Sequence, residues 1–434
     1  MRKIDIINLG CSKNLVDSEN LMTQFRSQGV IVRIDPERVQ ADLLLINTCG
    51  FIGDAKEESI NTILQAIEAR RSGRVREIRV MGCLVERHGY ELQENIPEIT
   101  HWYGVNDESK ILADLGLKLN PEILNQRIHS TPGHYAYLKV SEGCDRNCSF
   151  CAIPMIRGKH HSKSIDELTA EASWLAAQGV KELILIAQDL TYYGLDIERK
   201  QLLPELVKQL EQIEGIEWIR LHYAYPAKFP MELLKVMRNS EKVCSYLDIP
   251  LQHIADPVLK AMNRGINSAE TRKLIEKIRK EVPGVALRTT FLVGFPGERD
   301  EDFKQLLGFM SDYRFERVGA FAYSHEEGTL AGETLTDSIP DKVKQQRLKE
   351  LMELQEDISL KFNKGLVGRT IPVIIDREEG GVIIGRTPYD SPEVDQEVMI
   401  GKNGQEFVGG TIHPIIITDA TEYDLYGSPI INAG

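Results

Sequence analysis

Cys144-Asp-Arg-Asn-Cys148-Ser-Phe-Cys151 sets three thiols within eight residues, directly after an apolar run at 136–140 that reads as a β-strand. Three soft ligands on one loop can hold three irons of a four-iron, four-sulfur cluster. The fourth iron is then open to a bidentate ligand. A zinc knuckle completed by a distant fourth ligand, or thiols that merely pack, are the other readings of this spacing.

Outward from this loop the pattern is a long alternation of strand and helix. Runs at 136–140, 182–187, 218–222, 243–249, 286–293 and 317–323 read as strands. Amphipathic stretches at 166–178, 204–213, 231–238, 269–281 and 300–313 read as helices, and Ser164-Ile-Asp-Glu167 as a capping-box start for the first. Six β/α units in series predict a partial barrel with its chemistry at the C-terminal strand ends, although a parallel open sheet has the same periodicity. Before the loop, runs at 4–9, 42–48 and 77–81 alternate with helical spacing at 18–28 and 54–71, the pattern of a doubly wound α/β domain. Beyond it, 341–365 is a charged helical connector. From Leu366 to Gly434 the runs are short (371–375, 382–385, 397–400, 413–418) and broken by Gly and Pro, which predicts a small antiparallel β-barrel of about five strands. The expected division is residues 1–120, 130–363 and 366–434.

The bulk numbers agree with three folded domains. The chain has 434 residues, 42% apolar and 27% charged, as ordinary globular proteins have. Seven cysteines are too few for a disulfide scaffold and, clustered, suit a metal site. No stretch approaches eighteen uncharged apolar residues, and the first ten residues lack the apolar core of a signal peptide, so a cytoplasmic protein with no membrane contact is expected. A net charge of −13 opposes broad nucleic-acid binding and permits a basic protein as partner. The last 69 residues hold four basic against eleven acidic side chains, a surface that would repel RNA phosphates and attract a basic protein.

The other cysteines are placed by the same periodicity. Cys11, Cys49 and Cys83 each follow an apolar strand of the first domain, in Asn8-Leu-Gly-Cys11, Asn47-Thr-Cys49-Gly and Met81-Gly-Cys83. C-terminal ends of parallel strands share one edge, so three tips can bring three thiols together; three buried core cysteines is the plainer alternative. Cys244 lies inside a predicted strand and is expected in the core. Arg157, Lys159 and Lys163 form a basic loop that could hold a carboxylate or simply face solvent, and His325 is given no role.

The loop, with Phe150 at its aromatic position, resembles the radical S-adenosylmethionine superfamily. That resemblance implies a partial six-unit barrel, a cluster on Cys144, Cys148 and Cys151, and cleavage of S-adenosylmethionine to a 5'-deoxyadenosyl radical, which takes hydrogen from an unactivated carbon. It also implies that Phe150, Gln188 and Gly294 line the S-adenosylmethionine pocket; a strand-end glycine would let backbone approach a ligand closely.

Over the whole chain the order of domains resembles the methylthiotransferases. Leu9-Gly-Cys-Ser-Lys-Asn-Leu-Val-Asp-Ser-Glu19, the stretch from Val140 to Lys159 and Ile384-Gly-Arg-Thr-Pro-Tyr-Asp-Ser-Pro-Glu-Val-Asp395 are similar to the members that act on a ribosomal protein. The resemblance implies two four-iron, four-sulfur clusters, the second on Cys11, Cys49 and Cys83, and two S-adenosylmethionine molecules. It further implies an electron donor as partner and β-methylthiolation of an aspartate in small-subunit ribosomal protein S-twelve. The relatives that modify tRNA adenosines share both cysteine sets and are the alternative. The last domain is similar to the TRAM type.

Overall fold

The computed structural model describes residues 3–402 and 404–430. Met1, Arg2 and residues 431–434, at the outer limits of the predicted first and last domains, lie outside them.

The first sheet is parallel, in the order β2-β1-β3-β4-β5. Its strands are β1 (Lys3–Asn8), β2 (Ile31–Ile34), β3 (Ala41–Thr48), β4 (Val75–Gly82) and β5 (Trp102–Tyr103), joined through helices α1 (Ser12–Ser27), α2 (Gly53–Arg71) and α3 (Cys83–Asn95) and followed by α4 (Glu108–Asp114). This is a doubly wound sheet whose order reverses between β1 and β3, and ligand crevices open at that point. Helix α1 starts six residues before the predicted position, because Lys13, Asn14 and Val16 are buried and Val16 packs on the neighbouring domain.

The second sheet has six parallel strands in the order β13-β12-β11-β10-β9-β6. These are β6 (Tyr135–Lys139), β9 (Glu182–Ile186), β10 (Trp218–Leu221), β11 (Val243–Asp248), β12 (Ala286–Val293) and β13 (Arg317–Ala322), with a small hairpin of β7 (Ser141–Glu142) and β8 (His161–Ser162) after the first. Because strand order follows chain order and the end strands β6 and β13 do not pair, the sheet is a partial barrel and not a doubly wound sheet. Its helices are α5 (Ile153–Arg157), α6 (Ile165–Ala177), α7 (Leu203–Glu211), α8 (Glu232–Asn239), α9 (Asp256–Ala261), α10 (Ser268–Glu281), α11 (Asp300–Tyr313) and α12 (Leu330–Thr334). The predicted capping box at Ser164 and Glu167 starts α6.

Alternate strand residues go to opposite faces. Leu138, Leu183, Leu185 and Ile219 pack beneath the helices. Tyr135, Tyr137, Ile184 and Ile186 face the other way, and Val16 of α1 covers them. Lower on this inner face Trp218, Cys244, Tyr246 and Ala286 pack against Ile374 of the third domain, so Cys244 is core, as expected.

A 24-residue helix, α13 (Asp341–Lys364), leads to a closed barrel of β14 (Thr370–Glu379), β15 (Val382–Arg386), β16 (Glu397–Ile400), β17 (Ile412–Ala420) and β18 (Asp424–Pro429). The barrel is not wholly antiparallel: β16 and β18 pair in parallel, which closes the ring. Its attachment is ionic. Arg386 bridges Glu182 of the central domain (2.7 Å) and Asp376 (2.7 Å) and Arg317 binds Asp390 (2.5 Å), all with buried side chains, and the half-buried Arg288 meets Asp395 (3.4 Å). Part of the acidity counted in the sequence is therefore a domain seam, not a free face.

Candidate metal centre

Cys11 caps α1, Cys49 follows β3 and Cys83 opens α3, so all three stand at the C-terminal edge of the first sheet, on and beside its switch point. The tips are pressed together. A Cβ on Gly10 would lie 2.7 Å from Cys49 Cβ, and one on Gly82, whose φ is +103°, would lie 2.4 Å from Asn47 Oδ1. Neither position admits a side chain.

Cys144, Cys148 and Cys151 follow β6 and the first strand of the β7–β8 hairpin, on the loop before α5. Backbone N–H of Arg146 donates to Cys144 Sγ (3.4 Å), and the Arg264 guanidinium donates to Cys148 Sγ (3.1 Å). Burial pushes the Cys144 thiol up to about 11 and the Cys151 thiol up to about 12. Cys83 is likewise raised to about 12 by burial, against the opposing pull of Arg157. Buried thiols of this kind ionise when a metal supplies the counter-charge. Among the described residues no three His, Cys, Asp or Glu side chains converge as a single metal ion would need. A cluster takes each thiolate on a different iron, and each set of three, with one guanidinium donating to a sulfur, has the donors such a cluster needs.

The two triplets are linked. Arg157, at the end of α5, reaches into the first domain, donating to Cys83 Sγ (3.4 Å), Asp17 (2.7 Å) and the side chain of Asn14. It also meets Glu142 (3.2 Å), which accepts from Lys139 (2.6 Å) and from Gln188 (2.7 Å), while Lys139 pairs with Asp17 as well. Of the two readings of the basic loop, Arg157 thus takes carboxylates of its own chain. Lys163 pairs with Glu171 (2.9 Å), and Lys159 and His325 are exposed. Glu108 has no ion pair among the described residues; burial and then Asp17 raise its carboxyl to about 7.

Around the loop of the second triplet, Phe150 packs with Leu292 and edge-on to Phe295, 6.5 Å between centroids. Gln188 Oε1 is buried and has no hydrogen-bond partner among the described residues. Gly294 has φ +72°, and a Cβ there would lie 2.4 Å from Lys344 Cγ, while its N–H donates to Glu298 (2.7 Å). Packing of α13 is therefore sufficient reason for that glycine. Sequence reasoning missed Asp17, Lys139, Glu142 and Arg264. The one local signal was Lys139, a charge ending an otherwise apolar strand.

Comparison with known proteins agrees with this architecture. Residues 138–310 match the radical SAM superfamily, 3–104 the uncharacterized protein family UPF0004 and 367–430 the TRAM domain. The ribosomal protein uS12 methylthiotransferase RimO of Bacteroides thetaiotaomicron is 53% identical over 98% of each chain, and that of Flavobacterium psychrophilum is 51% identical over 98% of each. Among solved structures, the radical S-adenosylmethionine methyltransferase TsrM of Kitasatospora setae, with cobalamin and a [4Fe-4S] cluster bound, shares the fold at TM-score 0.56 and 14% identity, over 76% of this chain and 74% of that one. Identity above half across nearly the full length of both chains leaves one conclusion: this chain belongs to the RimO family of radical S-adenosylmethionine methylthiotransferases, enzymes of S-adenosylmethionine and two four-iron, four-sulfur clusters.

Proposed function

We propose that this protein places a methylthio group on the β-carbon of an aspartate in ribosomal protein uS12, the substrate in the names of its relatives. The observation that carries this reading is the junction at Arg157, which brings a triplet from each of two domains to one shared seam. Cys144, Cys148 and Cys151 would hold the cluster that binds S-adenosylmethionine, with Phe150, Gln188 and the backbone of Gly294 along its pocket. Cys11, Cys49 and Cys83 would hold the second. When bound, these groups supply one-electron chemistry at an unactivated carbon and the sulfur and methyl of the product.

The chain's own residues position and enclose. Cys83, Val105, Ala152 and Ile156 form an apolar seam that keeps water from the junction. Arg157, Lys139, Asp17 and Glu142 hold the two domains together and would fix the spacing of the two groups that the cysteine sets would carry. Gln188, its amide N–H anchored on Glu142, presents Oε1 to a donor on the ligand. The proposed division stays at residues 1–120, 130–363 and 366–434, and the main apolar cluster of each sheet supports it.

The exposed acids of the third domain, Glu378, Glu379, Glu406 and Asp419, would face the basic substrate, with an electron donor as a further partner and little direct binding of nucleic acid. No helix among the described residues is long and apolar enough to cross a membrane; work in the cytoplasm suits the substrate. The test is mass spectrometry of uS12 after anaerobic incubation with reconstituted enzyme, S-adenosylmethionine, a sulfur source and a reductant. A gain of one methylthio group on an aspartate is expected. Modification of tRNA adenosine with none on uS12 would overturn the reading.

A further inference from the structure

The first turn of α1 has the wrong charge for a helix start. No acidic residue stands in it and no side chain caps it, yet it carries Lys13, a cation where the helix dipole favours an anion. Lys13 is only 8% exposed. Its Nζ lies 3.2 Å from the centroid of the Tyr223 ring and has no ion pair or hydrogen bond among the described residues. A buried ammonium without a counter-charge is costly.

Carboxylates of the seam are already committed. Asp17 serves Lys139 and Arg157, and Glu142 serves the same two cations. Asp248 accepts from the backbone N–H of Tyr223 (3.1 Å) and meets Arg288 (3.5 Å). Tyr223 itself has a left-handed backbone, φ +62°, held by that bond and by Leu190 N–H donating to its carbonyl (3.1 Å). Strained residues of this kind concentrate where a fold holds a ligand. His222 beside it is held well below the usual histidine range, by burial first and then by Arg288, Arg220 and Lys13. Of the three cations around His222, Arg288 has Asp248 and Asp395 against it and Arg220 has Glu182, so among the described residues Lys13 alone has no carboxylate, at a point two residues from Cys11 and at the end of a barrel strand.

We propose that Lys13, seated on Tyr223 and backed by the N-terminus of α1, receives the side-chain carboxylate of the substrate aspartate and so selects aspartate over its amide. This rests on the reading of uS12 as substrate. Lys13 is a binding and positioning residue, and it makes no bond to the reacting carbon. The same chemistry could be met by the carboxylate of S-adenosylmethionine, and the arms of the test separate the two.

Three forms of uS12, with Asp, Asn or Glu at the target position, are bound to the parent enzyme and to Lys13→Gln and Lys13→Arg, with affinity, KM for S-adenosylmethionine and iron content measured. For the parent, preference for Asp over Asn should be about 100-fold in affinity, as removal of one partner of a buried charge pair produces. Lys13→Gln should bind both forms alike, and Lys13→Arg should recover most of the preference. A parent that binds Asp and Asn forms equally overturns the proposal whether or not any variant folds. So does a Lys13→Gln protein that keeps the preference, one that changes only the KM for S-adenosylmethionine, or one that loses iron and all three ligands together. A parent that binds and modifies no form of uS12 refutes the functional reading instead.

Discussion

Cys144, Cys148 and Cys151 stand on one loop, whereas Cys11, Cys49 and Cys83 come from the ends of three strands far apart in the chain. In the first set the spacing of ligands is written into eight residues, and the fold has only to present the loop. In the second, spacing exists only after β1, β3 and β4 pair in register, Ile4 opposite Leu43 and Leu43 opposite Glu77, with glycines where a Cβ would force the tips apart. Equal sets of thiols can thus differ in what they demand of the rest of the molecule: one is robust to distant change and the other is a readout of the whole domain.

The largest effect should come from removing one ligand of each set. Cys148→Ala and Cys49→Ala should each fall from about eight to about four irons per chain and lose methylthio product entirely. Only Cys148→Ala should also lose 5'-deoxyadenosine formation; if Cys49→Ala loses it as well, the two sites are not separate.

Next, Arg157→Met removes the cation between the sets and leaves Asp17 and Glu142 undercompensated in a buried seam. A loss of about 3–5 kcal/mol is expected from urea unfolding. A change within 0.5 kcal/mol, the range of about that size usual for surface sites, would show the seam to be dispensable.

A scaffold change should then discriminate the sets without touching a ligand. Gly82→Ala puts a methyl against Asn47 and Thr48 at a left-handed position and should lower iron toward about four per chain. Gly158→Ala, also left-handed but in open space beside the other loop, should cost about 1 kcal/mol and keep both clusters. Equal iron loss in the two variants would erase the contrast drawn here.

The smallest effect is a pH dependence. Glu108 is raised from 4.5 to about 7 in the folded chain, so between those values the native state holds a proton that the unfolded state has released. Its contribution to stability therefore rises as pH falls through 7 toward 4.5, and Glu108→Gln should abolish that rise. Denaturant midpoints of parent and variant at pH 5 and pH 8 measure it.

Much of this was legible in the chain. The triplet at 144–151 stands out because its spacing is local, whereas Cys11, Cys49 and Cys83 are each weak alone and gain meaning only as a set at strand ends. The six β/α units are periodic in sequence, but an open sheet has the same period, and only the strand order makes it a partial barrel. The partners of Arg157 are not legible: Asp17 lies 140 residues away, and nothing local says that this arginine turns inward and Lys159 outward. Strand β18 was missed because Gly427 and Pro429 read as breakers; Gly427 is needed where Ile415 crowds the closing strand, 2.4 Å from the place a Cβ would take. The acids at 390 and 395 were counted as surface when they are seam, since a charge count carries no direction.

Helix α13 packs on β12 and β13 of the central domain and reaches β17 of the last, where Ser359 and Asn363 donate to the carbonyls of Glu422 and Thr421. At 1.5 Å per residue it spans about 36 Å. Clamped at both ends, it would act as a ruler for the proposed substrate: a protein gripped by the small barrel would be held at one fixed reach from the 144–151 loop. On that proposal selection would depend on length as well as charge, and a uS12 with its target loop shortened by two residues should bind as tightly as before and leave unmodified.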